Sequence, residues 1–207
     1  MKVEAIESTR SPQGKVRVRF DDGSSLLALP SAMAELGLYQ GMELPDGAME
    51  SIKDTCAKAS ARERAVRIIA ASTVSKRELE HRLLQKGERE EDAKQAVQWL
   101  EELKLLDDAQ AAEQIVRSGA AKGYGAARIK QMLYEKRIPK EYWDAALELL
   151  PPQDGAIDSY LQRRFRGKKP DRAECKRAAD ALARRGHNWS DIRSALERYA
   201  PDEEFDQ

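Results

Sequence analysis

Residues 75–100 read SKRELEHRLLQKGEREEDAKQAVQWL, and an altered copy, GAARIKQMLYEKRIPKEYWDAALELL, follows at residues 125–150. The two copies share their apolar positions, so that Leu79 and Leu83 correspond to Ile129 and Leu133. A weaker third copy follows at nearly the same spacing, and its matching positions hold Ala178, Leu182, Gly186, Ala195, Leu196 and Tyr199. Self-similarity at a fixed period of this size predicts one supersecondary unit stacked several times along the chain.

Helix-start signals within the copies predict three helices in each unit. Ser75 and Glu78 have the S-x-x-E spacing of a capping box, in which each side chain satisfies an amide at the start of a helix, and Asp171 and Glu174 repeat it with Asp as the cap. The predicted domains are a small β-hairpin and short-helix domain at 1–53, three-helix repeats at 54–105, 106–150 and 151–200, and an acidic tail at 201–207.

The first 50 residues lie outside the repeat and have a β pattern. Residues 16–20 alternate apolar and basic side chains, Asp22-Gly23 is a tight-turn signal, and residues 27–29 resume an extended run, which together predict a hairpin. Residues 3–6 alternate as well and predict an edge strand, and residues 31–38 predict a short helix. Few of these side chains are chemically reactive, so a packing or docking role is favoured over a catalytic one.

Composition favours small helical bundles. Charged residues make up 35% of the chain and aromatic residues only 6%, so the cores must be thin and built mainly from aliphatic side chains. We therefore expect a mainly α protein with three tandem three-helix repeats in an extended array, preceded by a small N-terminal β-rich domain. Cys56 and Cys175 lie in no CxxC spacing, which predicts neither a disulfide nor a zinc site and is typical of a reducing cytoplasm. No apolar run approaches the roughly 18–20 residues that span a bilayer, so no membrane association is expected.

The turn before the third helix of the second unit departs from the first unit. Arg137 occupies the position of Gly87, where a left-handed residue commonly ends a helix. A left-handed conformation would cost a residue with a Cβ about 1 kcal/mol. We therefore expect a rebuilt turn at Arg137, followed by a third helix with Pro139 in its first turn.

The sequence predicts no enzyme, no cofactor and no metal site. His81 and His187 are the only histidines, and neither has a serine or cysteine nucleophile at useful spacing, so both are expected to be surface or capping groups. The Asp107-Asp108 pair precedes a helix, where acidic side chains complement the macrodipole. Helix capping explains that pair better than metal binding, because hard cations require more oxygen ligands.

A glycine-rich turn precedes the second helix of the second unit. Residues 122–125, KGYG, resemble a phosphate loop only superficially, because they lack the preceding strand and the longer glycine pattern. An inter-helix turn is the favoured interpretation. A lysine and an aromatic residue before a helix start nevertheless make Lys122 and Tyr124 secondary candidates for binding a phosphate or a partner, together with Arg128 and Lys130 on the following helix.

The third unit is basic. Residues 151–200 have 12 basic and 7 acidic side chains, a net charge of +5, and the tail adds four acidic residues. Its candidate binding residues are Arg163, Arg164, Arg166, Lys168, Lys169, Arg172, Lys176 and Arg177, with Arg184 and Arg185 at the end of the same helix. A solvated face and a surface for a polyanion or acidic protein remain equally favoured. If the tail competes for this cluster, deleting residues 201–207 strengthens DNA retention at low salt.

The chain resembles the RecX family of regulatory proteins over about residues 55–200. The resemblance rests on the Ser75-x-x-Glu78-Leu79-x-x-x-Leu83-x-x-Lys86-Gly87 spacing, on Leu106-Asp107-Asp108, on Arg117, and on residues 122–125 followed by Ile129, Leu133, Lys136 and Ile138. It implies three tandem three-helix repeats that lie along the RecA–DNA filament and limit its recombination, ATPase and co-protease activities. The chain departs from the family pattern at Ala111, Gly119 and Arg137.

The resemblance implies a monomeric partner of the RecA filament that also binds single- or double-stranded DNA with weak sequence preference. One alternative is a helical DNA-binding module that acts without RecA. The third helices begin with acidic stretches at 89–92, 139–141 and 190–191, which do not suit base readout in a groove. The other alternative is a general helical scaffold that binds neither RecA nor DNA.

Overall fold

The computed structural model describes residues 1–200, so the predicted acidic tail at 201–207 lies outside the described residues. Three strands come first: β1 Val3–Ser8, β2 Val16–Phe20 and β3 Ser25–Ala28. The helices are α1 Pro30–Leu36, α2 Ala48–Ala71, α3 Lys76–Gln85, α4 Glu90–Glu102, α5 Asp108–Ala121, α6 Ala126–Glu135, α7 Trp143–Leu147, α8 Gln153–Phe165, α9 Arg172–Arg184 and α10 Trp189–Glu197. The predicted fold class, mainly α with an N-terminal sheet, is confirmed.

The N-terminal sheet is antiparallel with strand order β1-β2-β3, as the alternating pattern predicts. Gly23, at φ 82°, makes the turn between β2 and β3. Val3, Val18 and Phe20 are fully buried on one face of the sheet, and Ile52 of α2 belongs to the same core. The sheet is therefore stabilised by the start of the first long helix.

That helix begins earlier than the sequence predicts. The chain becomes helical at Ala48 rather than near Asp54, directly after Gly47 in a left-handed conformation. The early start places Ile52 under the sheet, while Ala61 and Ala65 further along α2 are fully buried. Val66, between these residues and the end of α2, is 40% exposed. One continuous helix thus serves both the sheet and the first repeat, and the predicted domain boundaries stay a prediction.

The chain divides into two compact units, each described by itself. The first comprises residues 1–72 and 79–105, and in it α2 packs against α4. The second comprises, among the described residues, 73–78 and 106–200. In the second unit, α5, α6 and α7 enclose one apolar core, and α8, α9 and α10 enclose another. No helix within residues 1–200 has the length and apolar composition that a membrane crossing requires.

The same turn ends the second helix of every repeat. At Gly87, Arg137 and Gly186 the chain takes a left-handed conformation, with φ of 86°, 54° and 84°. In each turn the amide of the next residue reaches back to the helix, as in the 3.0 Å bond from the Ile138 amide to the Leu133 carbonyl. These bonds define a Schellman motif. The rebuilt turn expected at Arg137 is therefore wrong, because the closing hydrogen bonds hold the left-handed conformation despite its strain.

The third helix of repeat 2 also differs from expectation. Pro139 precedes a 3₁₀ turn, Lys140–Tyr142, rather than lying in the first turn of an α-helix, and α7 follows with only five residues. Trp143 at the start of α7 donates a 3.0 Å hydrogen bond from Nε1 to the Ile138 carbonyl. This bond ties the short helix to the Arg137 turn.

Candidate nucleic-acid interface

A basic groove of about 1070 Å³ lies between the end of α5 in repeat 2 and the exposed side of α8 in repeat 3. Its cations come from two repeats and comprise Lys122, Arg163, Arg164, Arg166 and Arg185. Its other lining residues are Ala120, Ala121, Gly123, Ala156, Ser159, Tyr160 and Gln162. No carboxylate lines the groove, so within the described chain its charge is uniformly positive. We call these five cations and their neighbours the basic groove.

Helix α8 positions three of the cations. Phe165 is buried in the core of repeat 3 and fixes the end of the helix, which leaves Arg163 and Arg164 on its exposed side. The Nε atom of Arg163 donates a 2.9 Å hydrogen bond to the Ser159 carbonyl one turn earlier. Arg166 ends the helix in a left-handed conformation at φ 50°. None of these arginines forms an ion pair with a carboxylate of residues 1–200, so their charges are available to a ligand.

Arg185 links the two walls of the groove. Its Nη1 atom donates a 3.2 Å hydrogen bond to the Lys122 carbonyl of repeat 2. The guanidinium also lies over the Tyr160 ring of α8, 5.2 Å from the ring centroid, at the distance of a cation–π interaction. The sequence indicated Arg185 only as part of a basic helix end, and it indicated nothing for Tyr160. The bond to Lys122 depends on the packing of two repeats and the Tyr160 contact on the packing of α8 against the end of α9, neither of which the sequence pattern specifies.

Backbone hydrogen bonds hold repeat 2 against repeat 3 beside the groove. The amides of Gly125 and Ala127 donate to the carbonyls of Arg185 and Gly186 at 2.8 and 3.1 Å. The backbones approach so closely that a Cβ at Gly125 would lie 2.2 Å from the Gly186 carbonyl oxygen. A Cβ at Gly186 would lie 2.2 Å from the Arg128 amide nitrogen. We call this contact the second joint.

His187 completes the second joint. Its Nε2 atom lies 3.1 Å from the Gly123 carbonyl, which accepts a hydrogen bond whenever Nε2 carries a proton. The side chain is buried, and its Nδ1 atom has no partner among residues 1–200. Desolvation, with repulsion from Arg185, lowers the pKa of His187. The expectation of a surface or capping group is therefore wrong for His187, because repeat 2 covers the turn on which it lies.

The equivalent contact earlier in the chain, the first joint, uses a side chain. The Ser75 hydroxyl donates to the Lys136 carbonyl at 2.7 Å, and it accepts from the Glu78 amide at 3.1 Å. The Arg137 carbonyl lies 3.2 Å from the same hydroxyl. In both joints, therefore, the start of the second helix of one repeat meets the left-handed turn that ends the second helix of the following repeat.

The remaining predicted site residues do not all gather at the groove. Tyr124 is partly buried against the core of repeat 2, and Arg128 lies 3.6 Å from Glu135. Lys130 is exposed outside the groove. The other predicted cations are exposed but do not line it, and they are Lys168, Lys169, Arg172, Lys176 and Arg177. The KGYG turn thus supplies Lys122 and Gly123 to the groove, while the Gly125 amide contributes to the second joint.

The capping predictions hold in the structure. The Asp107 side chain accepts from the amides of Ala109 and Gln110, as an N-cap of α5. Asp108 accepts from the Lys76 amide at 2.8 Å. The capping box of Asp171 and Glu174 is complete in both directions. Within residues 1–200, no three His, Cys, Asp or Glu side chains cluster so as to hold a metal ion.

The fold and the groove define a tandem three-helix repeat protein with a concentrated basic face. Residues 107–147 match the model of the second three-helix domain of RecX. The regulatory protein RecX of Stenotrophomonas maltophilia (strain R551-3) is 36% identical over 144 residues, which are 68% of this chain and 87% of that protein. The regulatory protein RecX of Halorhodospira halophila (strain DSM 244 / SL1) is 32% identical over 155 residues, or 72% and 93%. The chain belongs to the RecX family.

Solved structures show the same fold. A crystal structure of regulatory protein RecX superposes with a TM-score of 0.64 at 20% identity, and covers 95% of this chain and 98% of its own. The crystal structure of RecX from Lactobacillus salivarius gives a TM-score of 0.59 at 18% identity, with 69% of this chain and 96% of its own covered.

Proposed function

We propose that this protein regulates the RecA recombinase, mainly as an inhibitor, by binding along the RecA–DNA filament in the cytoplasm. In this role it limits filament assembly, strand exchange and co-protease function, and it turns over no substrate itself. Membership in the RecX family supports the regulatory role. The observation that supports a polyanionic target is the basic groove, in which five cations from two repeats face one space without a carboxylate.

The groove suits a phosphate backbone because its cations lie on three segments of the chain. Lys122 lies on one side of the groove and the α8 arginines on another, so a bound strand would contact repeats 2 and 3 together. Each phosphate neutralised by Lys or Arg releases counterions, which makes binding favourable and strongly salt-dependent. Modest contacts from successive repeats of one monomer add to a useful avidity on a polymer such as the filament.

The structure gives little support to base-specific readout by the third helices. Asp92 in the first turn of α4 is buried and bound by Arg89 at 2.5 Å, so this helix start presents an ion pair rather than base-reading donors. Helix α7 has only five residues and follows a 3₁₀ turn. We therefore expect DNA contacts with weak sequence preference, to single- or double-stranded DNA, and not the action of a sequence-specific DNA-binding module.

Co-sedimentation with RecA filaments, assembled with and without single-stranded DNA, tests this function. A RecA regulator pellets with the filament and slows RecA-driven strand exchange. A module that acts without RecA is retained on DNA alone and leaves strand exchange unchanged, and a general scaffold is retained on neither. Equal strand-exchange rates with and without excess protein would refute the proposal.

A further inference from the structure

We infer that the second joint positions the cations of the basic groove, and that His187 is the positioning residue through which pH controls polyanion binding. The inference rests on the proposed function, because it concerns the same groove. It assigns a role to a buried histidine that does not itself line the groove.

The two walls belong to different repeats and meet through a short stretch of chain. Lys122 precedes the amides of Gly125 and Ala127, which bond to the turn at residues 185–186. Arg185 belongs to both the second joint and the groove. Its carbonyl accepts from the Gly125 amide in the joint, while its guanidinium, which lines the groove, donates to the Lys122 carbonyl. Opening the joint therefore displaces Arg185 and separates Lys122 from the α8 arginines.

His187 fits the closed joint best in its neutral form, because its buried Nδ1 atom has no hydrogen-bond partner among the described residues. The Nε2–H group donates to the Gly123 carbonyl, next to Lys122. A proton on Nδ1 would have no acceptor among the described residues and would add a charge near Arg185. Burial has the largest effect and lowers the histidine pKa, as does Arg185. The bond to the Gly123 carbonyl and the charge of Asp191 raise the pKa, but the net shift is downward.

The direction of the pH effect follows from this environment. Because the folded-state pKa of His187 is lowered, the unfolded or open state binds the proton more readily. The stability contributed by the neutral ring is complete above the ordinary histidine pKa of about 6.5. It is lost as pH falls below that value toward the folded-state pKa. The joint is therefore weaker in acid.

This direction opposes the usual behaviour of a basic site. A polyanion normally binds more tightly as pH falls, because histidines gain positive charge. Here we expect acid to weaken binding, since the joint that gathers the cations opens. The cost of one buried N–H group without an acceptor corresponds to an affinity about fivefold weaker.

The test measures the affinity of the full chain for a fluorescent oligo(dT) single strand at about pH 7.5 and about pH 5.5. His187→Gln keeps a donor for the Gly123 carbonyl but does not titrate, so its affinity should stay nearly constant. His81→Gln removes the other histidine, which lies on α3 beside Gln85, and should retain the loss of affinity in acid. A merely structural role for His187 would not move the pH profile in this way.

Amide exchange on the unmodified protein supplies a measurement that needs no variant. The protection factors of the Gly125 and Ala127 amides, which bond across the joint, should fall at the lower pH together with the affinity. Unchanged protection, or reduced protection with unchanged oligo(dT) affinity, would overturn the positioning role. So would equal acid weakening in His187→Gln. Failure of the unmodified protein to bind oligo(dT) at either pH would overturn the polyanion contact itself, and the inference with it.

Discussion

The first and second joints occupy the same place in successive repeats but are built from different chemistry. In the first, one side-chain hydroxyl, that of Ser75, bonds to the carbonyl of Lys136. In the second, two backbone amides donate to the turn around Gly186. The comparison shows that the repeat preserves the meeting of a helix start with a left-handed turn, while the groups that make the contact differ.

The difference sets how closely the backbones approach. A serine side chain spans the gap in the first joint, so its turn accommodates Arg137, whose guanidinium lies 3.3 Å from Glu78. Direct backbone pairing in the second joint leaves no room for a Cβ at Gly125 or Gly186. We therefore expect the second joint to depend on small residues and the first on a single hydroxyl.

The largest expected effect is on the second joint, from Gly125→Ala. Gly125 has φ −78°, which any residue adopts, so the requirement is for space alone. Its added Cβ would lie 2.2 Å from the Gly186 carbonyl oxygen, and the backbone must shift. We expect the free energy of unfolding to fall by about 1–3 kcal/mol, as for an overpacked site. Urea unfolding followed by circular dichroism measures it.

Gly155→Ala is the matched control, because its Cβ in α8 would meet nothing within 4 Å. This substitution should stabilise the protein by about 0.5–1 kcal/mol through helix propensity. If Gly125→Ala changed the free energy of unfolding no more than Gly155→Ala, that result would contradict the close backbone pairing of the second joint.

A smaller effect is expected at the first joint, from Ser75→Ala. The change removes both the bond to the Lys136 carbonyl and the cap on the Glu78 amide. We expect a loss of about 1–2 kcal/mol in the free energy of unfolding, because a helix cap and a buried hydrogen bond are lost together. Ser190→Ala, at an exposed serine, should change it by less than about 0.5 kcal/mol. Equal effects of the two substitutions would contradict the role of Ser75.

The smallest effect is expected from Arg137→Gly. Glycine removes the strain of the left-handed conformation, about 1 kcal/mol, but the change also removes the ion pair with Glu78. The net change in the free energy of unfolding should be less than about 1 kcal/mol. In a Glu78→Gln background the ion pair is already absent, so thermal unfolding should show a larger stabilisation by glycine. Destabilisation in that background would show that the turn is not strained.

The sequence predicts those features that depend on local chemistry. The helix starts at Ser75, Asp107 and Asp171 are visible because a cap and its partner lie within three residues of each other. The three tandem repeats are visible because their apolar positions recur. The left-handed conformation of Arg137 does not follow from its intrinsic strain alone, because the hydrogen bonds that close the turn offset that strain.

The groove is harder to predict because it depends on residues far apart in the chain. Arg185 reaches a carbonyl 63 positions earlier, and His187 one 64 positions earlier. A charge run identifies Arg163, Arg164 and Arg166, but it equally includes Lys168 and Lys176, which do not line the groove. Only the packing of repeat 2 against repeat 3 separates the two groups.

That separation provides the most direct test of the central claim, which is that the protein regulates RecA through the basic groove. Arg163→Glu with Arg164→Glu reverses two groove cations, and Lys168→Glu with Lys176→Glu makes the same change of charge outside it. RecA-driven strand exchange is measured with each variant in excess. The groove variant should lose most of the slowing produced by the unmodified protein, and the control should keep it. Equal slowing by the groove variant and the unmodified protein would contradict the account.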